Sequence, residues 1–283
     1  MSPIVLAAAP AAEEGGFEAP GIADFWQPLF GTDGAFAVTR PMVLLVLSTV
    51  LIAVVMLLAT RRLTVVPSKG QAVVEAAYGF VRNGIARDII GTRQFRPFLP
   101  LLFAMFLLIL VNNLFGIIPL VQYPTMARVG FPAAIALVVY FLYLYLGVKR
   151  MGAAGYIKHM VPPGLPWPLA LFVGFLELIS YFFTRPVTLA LRLWGNMFAG
   201  HLLLLLFALG GEYMLLEGGF PLNVLSIGPF AMSFIMTLFE ILVEFLQAYI
   251  FTLLAALYIA GSLADVAATG VLASADGGFA EAV

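Results

Sequence analysis

The sequence predicts an all-α membrane protein with five to six membrane helices, the last two long, tilted and paired as a hairpin. Three observations predict it. Hydrophobic residues make up 63% of the 283 residues and charged residues only 10%, whereas a soluble domain carries about 25% charge. So little charge cannot cover a surface in contact with water. Uncharged windows of about 20 residues, the length at which a helix crosses a bilayer, recur along the chain. In hydrocarbon every backbone polar group must be bonded internally, and a helix does this within one segment.

Residues 1–40 are rich in Pro, Gly and Ala and carry Glu13, Glu14, Glu18, Asp24 and Asp33. They read as a flexible external tail; no Lys or Arg precedes the apolar residues 4–12, which speaks against a signal peptide. The first span, 41–60, lies between Arg40 and Arg61. Residues 70–91 are too charged to span. Val73, Val74, Ala77, Phe80, Val81 and Ile85 recur there at helical spacing, which predicts a short amphipathic helix, either on the membrane surface or as a cytosolic connector. Spans follow at 97–119 and 130–148, and then two longer helices interrupted by polar residues, 168–210 and 221–261. Residues 41–262 thus form the transmembrane domain, and 263–283 a small, acidic tail. The chain has no internal repeat, so the inverted-repeat design of many transporters has no support.

Basic residues in short loops set orientation. The loop 61–96 holds Arg61, Arg62, Lys69, Arg82, Arg87, Arg93 and Arg96, and 149–167 holds Lys149, Arg150 and Lys158, whereas 120–129 holds only Arg128. This predicts an N-terminus outside and a C-terminus in the cytoplasm. Glu212 and Glu217, without a base, suit an outer loop at 211–220. A net charge of −1 and a pI near 6.1 argue against a nucleic-acid partner. With no Cys and two His, neither a disulfide nor a Cys-ligated or all-His metal site can form, and no cofactor is expected.

The charges left inside the spans carry the functional signal, because an ionisable group at mid-bilayer costs about 2.5–3.5 kcal/mol on insertion scales. Arg192 is the last Lys or Arg of the chain. An arginine keeps its charge at physiological pH, so it can hold a fixed field but cannot pass a proton on. Arg185, Thr188, Arg192 and Asn196 fall at i, i+3, i+7 and i+11 and share one helix face. Glu240, Glu244 and Gln247, at i, i+4 and i+7, form a second one-sided stripe. His201 lies nine residues past Arg192, about 13–14 Å along a regular helix. In an antiparallel hairpin, His201 then approaches Glu240, and Arg192 approaches Gln247. The result is a titratable His/Glu cluster towards the outside with a fixed Arg deeper in. Arg185 reads as a structural or interfacial charge. Asn112 and Asn113 suit hydrogen bonding between helices, Gly195 and Gly200 suit close packing, and Pro186 suits a kink.

Together these segments resemble subunit a of the F-type ATP synthase. RPVTLALRLWGNMFAGHLLLLL resembles the family's most diagnostic stretch, with its Arg at Arg192. EILVEFLQAYIFTLLAALYIA resembles its last helix, matching at Gln247 and Tyr258. FRPFLPLLFAMFLLILVNNLFGIIP resembles its second span, matching at Asn113 and Pro119. The resemblance covers about residues 40–261. It implies a proton-translocating stator subunit in a bacterial plasma membrane, partnered by a ring of c subunits and peripheral-stalk b subunits, with the final hairpin facing the ring. By the same resemblance, Arg192 separates two half-channels and displaces the proton of the ring carboxylate, and Asn196 and Gln247 line the path. His201 and Glu240 serve the outer channel, Glu177 is linked to the cytoplasmic one, and Glu244 and Asn113 are further candidates on the path. The spacing from Glu177 to Pro186 is one residue longer than the family's usual pattern.

Two other readings stay open on the residues alone. One is a stand-alone ion or solute transporter using the cluster of His201, Glu240 and Arg192. The other is a membrane-embedded enzyme, although the spans contain no Ser/His/Asp order, paired-Asp motif or metal cluster, and the second His, His159, sits in a predicted loop. The chain has no Walker-type phosphate loop, so it neither makes nor splits ATP itself.

Overall fold

The computed structural model describes residues 20–21, 28–30, 38–61, 64–118, 123–159 and 166–277. Most of the expected N-terminal tail, Pro119, and the last residues of the expected C-terminal tail lie outside them. A short antiparallel pairing of β1 (Pro28–Phe30) with β2 (Val38–Thr39) leads straight into α1 (Arg40–Thr60). Pro41 in the first turn of α1 lacks only an N–H that would be orphaned anyway. The buried residues of α1 are Pro41, Leu44 and Ser48; its remaining apolar surface is left for lipid.

The amphipathic segment becomes α2 (Lys69–Val81), a π-turn at Arg82–Arg87 and α3 (Asp88–Ile90). Ser68 caps α2 by accepting the Gln71 N–H at 3.4 Å. Val81 and Ile85 are buried against the bundle, while Val73 stays exposed.

The second span is shorter than its apolar window. Helix α4 covers Leu99–Leu114 with Pro100 in its first turn, a rise of about 24 Å. It ends where the Gly116 N–H turns back to the Asn113 carbonyl at 2.8 Å, and Tyr123 returns to donate to the Phe115 carbonyl at 3.2 Å. A 3₁₀ turn, Thr125–Ala127, follows. Asn112 ties these pieces together. Its amide donates to Ser48 Oγ of α1 and to the Leu108 carbonyl, both at 2.8 Å, and its carbonyl accepts from Thr125 Oγ1 at 2.8 Å. Asn112, Ser48 and Thr125 are all fully buried. Replacing Asn112 with Leu removes these bonds and strands the Thr125 donor. We expect a loss of about 1–2 kcal/mol, visible as a lower Tm in detergent; an unchanged Tm would contradict the anchoring role.

Helix α5 runs from Gly130 to His159 and kinks at Gly152, whose φ of +72° suits glycine. Its membrane part is Gly130–Ala153. Of the loop predicted at 149–167, residues up to His159 are therefore helical, with His159 the last residue of α5. The backbone folds so closely here that a Cβ on Gly147 would run into the Tyr156 ring. Arg150 fastens the turn to α9, donating to the Leu263 carbonyl at 3.2 Å.

Helix α6 (Trp167–Ile179) passes through a π-turn, Ser180–Thr184, into α7 (Arg185–Leu216). Helix α8 (Gly219–Leu225) and α9 (Ile227–Gly277) complete the chain. The backbone of α9 runs beyond the apolar window into the Ala-rich segment that composition had assigned to a tail, in keeping with the strong helix propensity of Ala. Among the described residues, four helices are long and apolar enough to cross a membrane, and α4 is a shorter apolar one. This is the multi-pass, all-α architecture that the sequence predicted.

The core lies where α4, α5, α7 and α9 meet, around Leu102, Phe106, Ile109, Leu193, Phe251 and Ile259. Ala248, Ala255 and Ala256 of α9 are fully buried. Such small residues let helix backbones approach closely, the packing mode that replaces the hydrophobic effect inside lipid.

Candidate functional site

Helices α7 and α9 pack as the predicted hairpin, and the polar stripes meet along it. Asn196 Nδ2 donates to Gln247 Oε1 at 2.7 Å. Gln247 is buried and Asn196 is exposed, so this bond runs from the inside of the hairpin to its open face. Arg192, one turn before Asn196, is exposed and makes no hydrogen bond or ion pair with the described residues. Thr188, Arg192, Asn196, Ala199 and Leu203 are all exposed at helical spacing along α7. A charged face in an apolar helix is thus left uncovered by the described residues. Gly195, expected to allow close packing, belongs to the same open surface: no atom lies within 4 Å of where its Cβ would stand. The packing role predicted for it has no partner among the described residues.

Towards the other end of α7 the stripe turns inward. His201 is 3% exposed and Glu240 5%. Glu240 lies over Gly200, where an added Cβ would come within 3.0 Å of its Oε1. Gly200 therefore does permit close approach, and what approaches is a carboxylate. A cavity of about 300 Å³ opens between the two helices, lined by Asn196, Gly200, Leu203, Met236, Phe239 and Glu240. It reaches from Asn196 to Glu240.

Glu244 and Asn113 form the inner side of this site. Glu244 is fully buried, and neither carboxylate oxygen has a hydrogen-bond partner among the described residues. The nearest wall is the turn after α4, where a Cβ on Gly116 would stand 3.5 Å from Glu244 Oε1. Asn113 Nδ2 reaches only the Glu244 backbone carbonyl, at 3.5 Å, and its Oδ1 is unbonded. Glu240 Oε2 and Gln247 Nε2 are likewise buried without a hydrogen-bond partner among the described residues. A buried polar group left this way costs about 1–3 kcal/mol, and five such atoms in one neighbourhood mark a region not built for stability alone.

Glu177 lies elsewhere, on α6. It pairs with Arg185 Nη2 at 3.8 Å across the π-turn. Sequence reasoning missed this pairing because eight residues of regular α-helix would put the two side chains on different faces. The available signal was the extra residue between Glu177 and Pro186, which is the insertion that a π-turn absorbs. A second cavity, of about 400 Å³, lies beside it, lined by Ser180, Tyr181, Thr184, Arg185, Thr188 and Tyr258. Among the described residues no cluster of His, Asp and Glu could hold a metal ion.

Trp194 anchors this part of α7 from behind. Its Nε1 donates to the Ala127 carbonyl at 2.8 Å, and its ring stacks on Phe198. The indole thus orients the helix so that Arg192 points away from the core.

Comparison with known proteins identifies the family of the chain. The sequence profile of the family described as ATP synthase A chain matches residues 42–260. The protein called ATP synthase subunit a of a Nocardioides species is 44% identical over 265 residues, covering 90% of this chain and 96% of that protein. The protein of the same name from Pseudarthrobacter chlorophenolicus is 44% identical over 92% of this chain and 98% of its own length. That of Streptomyces lividans is 37% identical over 88% of this chain and 89% of its own length. The match spans both stripes of the hairpin, and the chain belongs to the ATP synthase A chain family.

Proposed function

We propose that this chain is the proton-translocating stator subunit of an F-type ATP synthase in a bacterial plasma membrane, with its N-terminus outside and its C-terminus in the cytoplasm. The observation that carries the reading is the open face of α7: a permanently charged Arg192 sits on apolar helix surface that the described residues do not cover, beside the bond from Asn196 to Gln247. Lipid would penalise that face. A ring of c subunits carrying carboxylates would complement it.

The chemistry follows from charge and dielectric. A protonated carboxylate on a rotor helix is neutral and can face lipid; an ionised one must meet a cation. Arg192 supplies that cation without releasing a proton, so it separates an entry path from an exit path. The cavity from Asn196 to Glu240 belongs to the outer half-channel in this reading, with the buried His201, Glu244, Asn113 and Gln247 as further candidates on the path. Glu177 and the cavity beside Arg185 belong to the cytoplasmic one. A charge crossing the membrane potential releases about 2.3 kcal/mol per 100 mV, which rotation carries to ATP-forming subunits elsewhere. This chain is then a non-catalytic member of its complex, held also by peripheral-stalk b subunits.

Purification in mild detergent tests the assignment. A stator brings down a small, hydrophobic two-helix ring subunit and a peripheral stalk; a chain that purifies alone and still transports would instead be a stand-alone transporter. The close seat of Glu240 gives a finer test. Gly200→Ala forces the carboxylate to shift by a few tenths of an ångström, and proton passage is expected to fall by up to about tenfold in an assembled complex. Passage at the parental rate in vesicles would remove Glu240 from the path.

A further inference from the structure

The turn that joins α6 to α7 has a hydrogen-bond pattern with a specific consequence. The Arg185 N–H donates to the Ser180 carbonyl, five residues back rather than four. Pro186 has no N–H. The Tyr181 carbonyl therefore loses the donors that residues 185 and 186 would supply in α- or π-register. The Tyr143 hydroxyl of α5 takes their place, donating to Tyr181 O at 2.5 Å. The π-turn is thus closed by a side chain from a neighbouring helix.

Its effect on register can be counted. Eight residues of α-helix turn about 80° past two full revolutions, which would carry Arg185 off the Glu177 face. Absorbing one residue in the π-turn leaves about seven α-steps, roughly 20° short of two revolutions. Helical side chains lean towards the N-terminus, so Arg185 leans back over Tyr181. Its guanidinium lies 3.4 Å from that ring centroid and 5.3 Å from the Tyr258 ring of α9. From there Nη2 reaches Glu177 at 3.8 Å. The two rings hold the guanidinium plane, and the same guanidinium lines the 400 Å³ cavity.

We propose that Arg185, which lines the cavity beside α9, is a positioning residue for Glu177, holding its carboxylate beside that guanidinium, and that the π-turn closed by Tyr143 provides the register for this pairing. The proposal rests on the stator reading and deepens it: Arg185 does not carry the proton but fixes where Glu177 can exchange it.

The experiment uses the assembled ATP synthase in inverted membrane vesicles, reading ATP-driven proton pumping with a fluorescent ΔpH probe. Arg185→Gln and Glu177→Gln are each expected to slow pumping by about tenfold, and the double variant to be no slower than the slower single one, as for residues acting as a unit. Arg185→Lys keeps the charge and should recover most of the rate. Parental pumping by Arg185→Gln, a Lys variant no better than the Gln variant, or a double variant slowed by the product of the two effects each overturns the pairing. If Arg185→Gln does not assemble, the exchanged pair Glu177→Arg with Arg185→Glu replaces it. Pumping above either single exchange supports the proposal, and no recovery overturns it. Arg192→Ala in parallel separates the two ideas: pumping by that variant defeats the stator reading itself, whereas its loss beside normal pumping by Arg185→Gln defeats only the pairing.

Discussion

Arg192→Ala is expected to abolish proton-driven ATP synthesis while leaving the complex assembled. The side chain is exposed on α7 and makes no hydrogen bond or ion pair with the described residues, so its removal breaks no internal contact that holds the fold. Trp194 still bonds to Ala127, and Asn196 still bonds to Gln247. What disappears is the fixed charge that an ionised rotor carboxylate needs inside the bilayer, where an unpaired charge costs about 2.5–3.5 kcal/mol or more. That penalty alone corresponds to a slowing of about 100-fold, and in the proposed reading the two half-channels lose the barrier between them. Synthesis in energised vesicles and passive proton leak are the measurements. Substantial synthesis by the Ala variant would refute the role given to Arg192.

Glu240→Gln is expected to have the next largest effect. The substitution keeps shape and volume over Gly200 but removes the group that can take and give a proton. Positioned acid–base groups contribute about 10²–10⁴-fold where proton transfer limits the rate, so a fall of about 100-fold in proton passage is expected, with normal assembly. His201→Ala should act in the same direction, since His201 is buried one residue beyond the glycine under Glu240. Stopped-flow measurement of vesicle acidification checks both. If Glu240→Gln passes protons at the parental rate, the buried carboxylate is a structural element only.

Much of this site was legible in the sequence because membrane helices are regular and charge is scarce. The two stripes, Thr188 to Asn196 and Glu240 to Gln247, needed only a period of 3.6 and a hairpin, and the bond between Asn196 and Gln247 follows from them. What stayed hidden depends on departures from regularity. The early end of α4 comes from the turn at Phe115–Ile118 inside an apolar window that composition alone would extend. The kink at Gly152 continues helix through charges that read as a loop. The pairing of Glu177 with Arg185 depends on a π-turn whose closing donor, Tyr143, lies 38 residues away in the chain; no local pattern encodes it. The open space beside Gly195 is invisible for another reason: glycine in a membrane helix marks close approach, but not whose backbone approaches.

The uncovered face of α7 also bears on how such a complex is built. A chain inserted alone would hold Arg192 and Asn196 against hydrocarbon, a standing penalty of a few kcal/mol that disappears once a partner surface with carboxylates docks there. Assembly is then favoured by the same charge that later serves transport. A lone subunit, lacking the moving carboxylate, would hold the ends of two paths with nothing to carry a proton between them, so biogenesis could proceed without discharging the membrane.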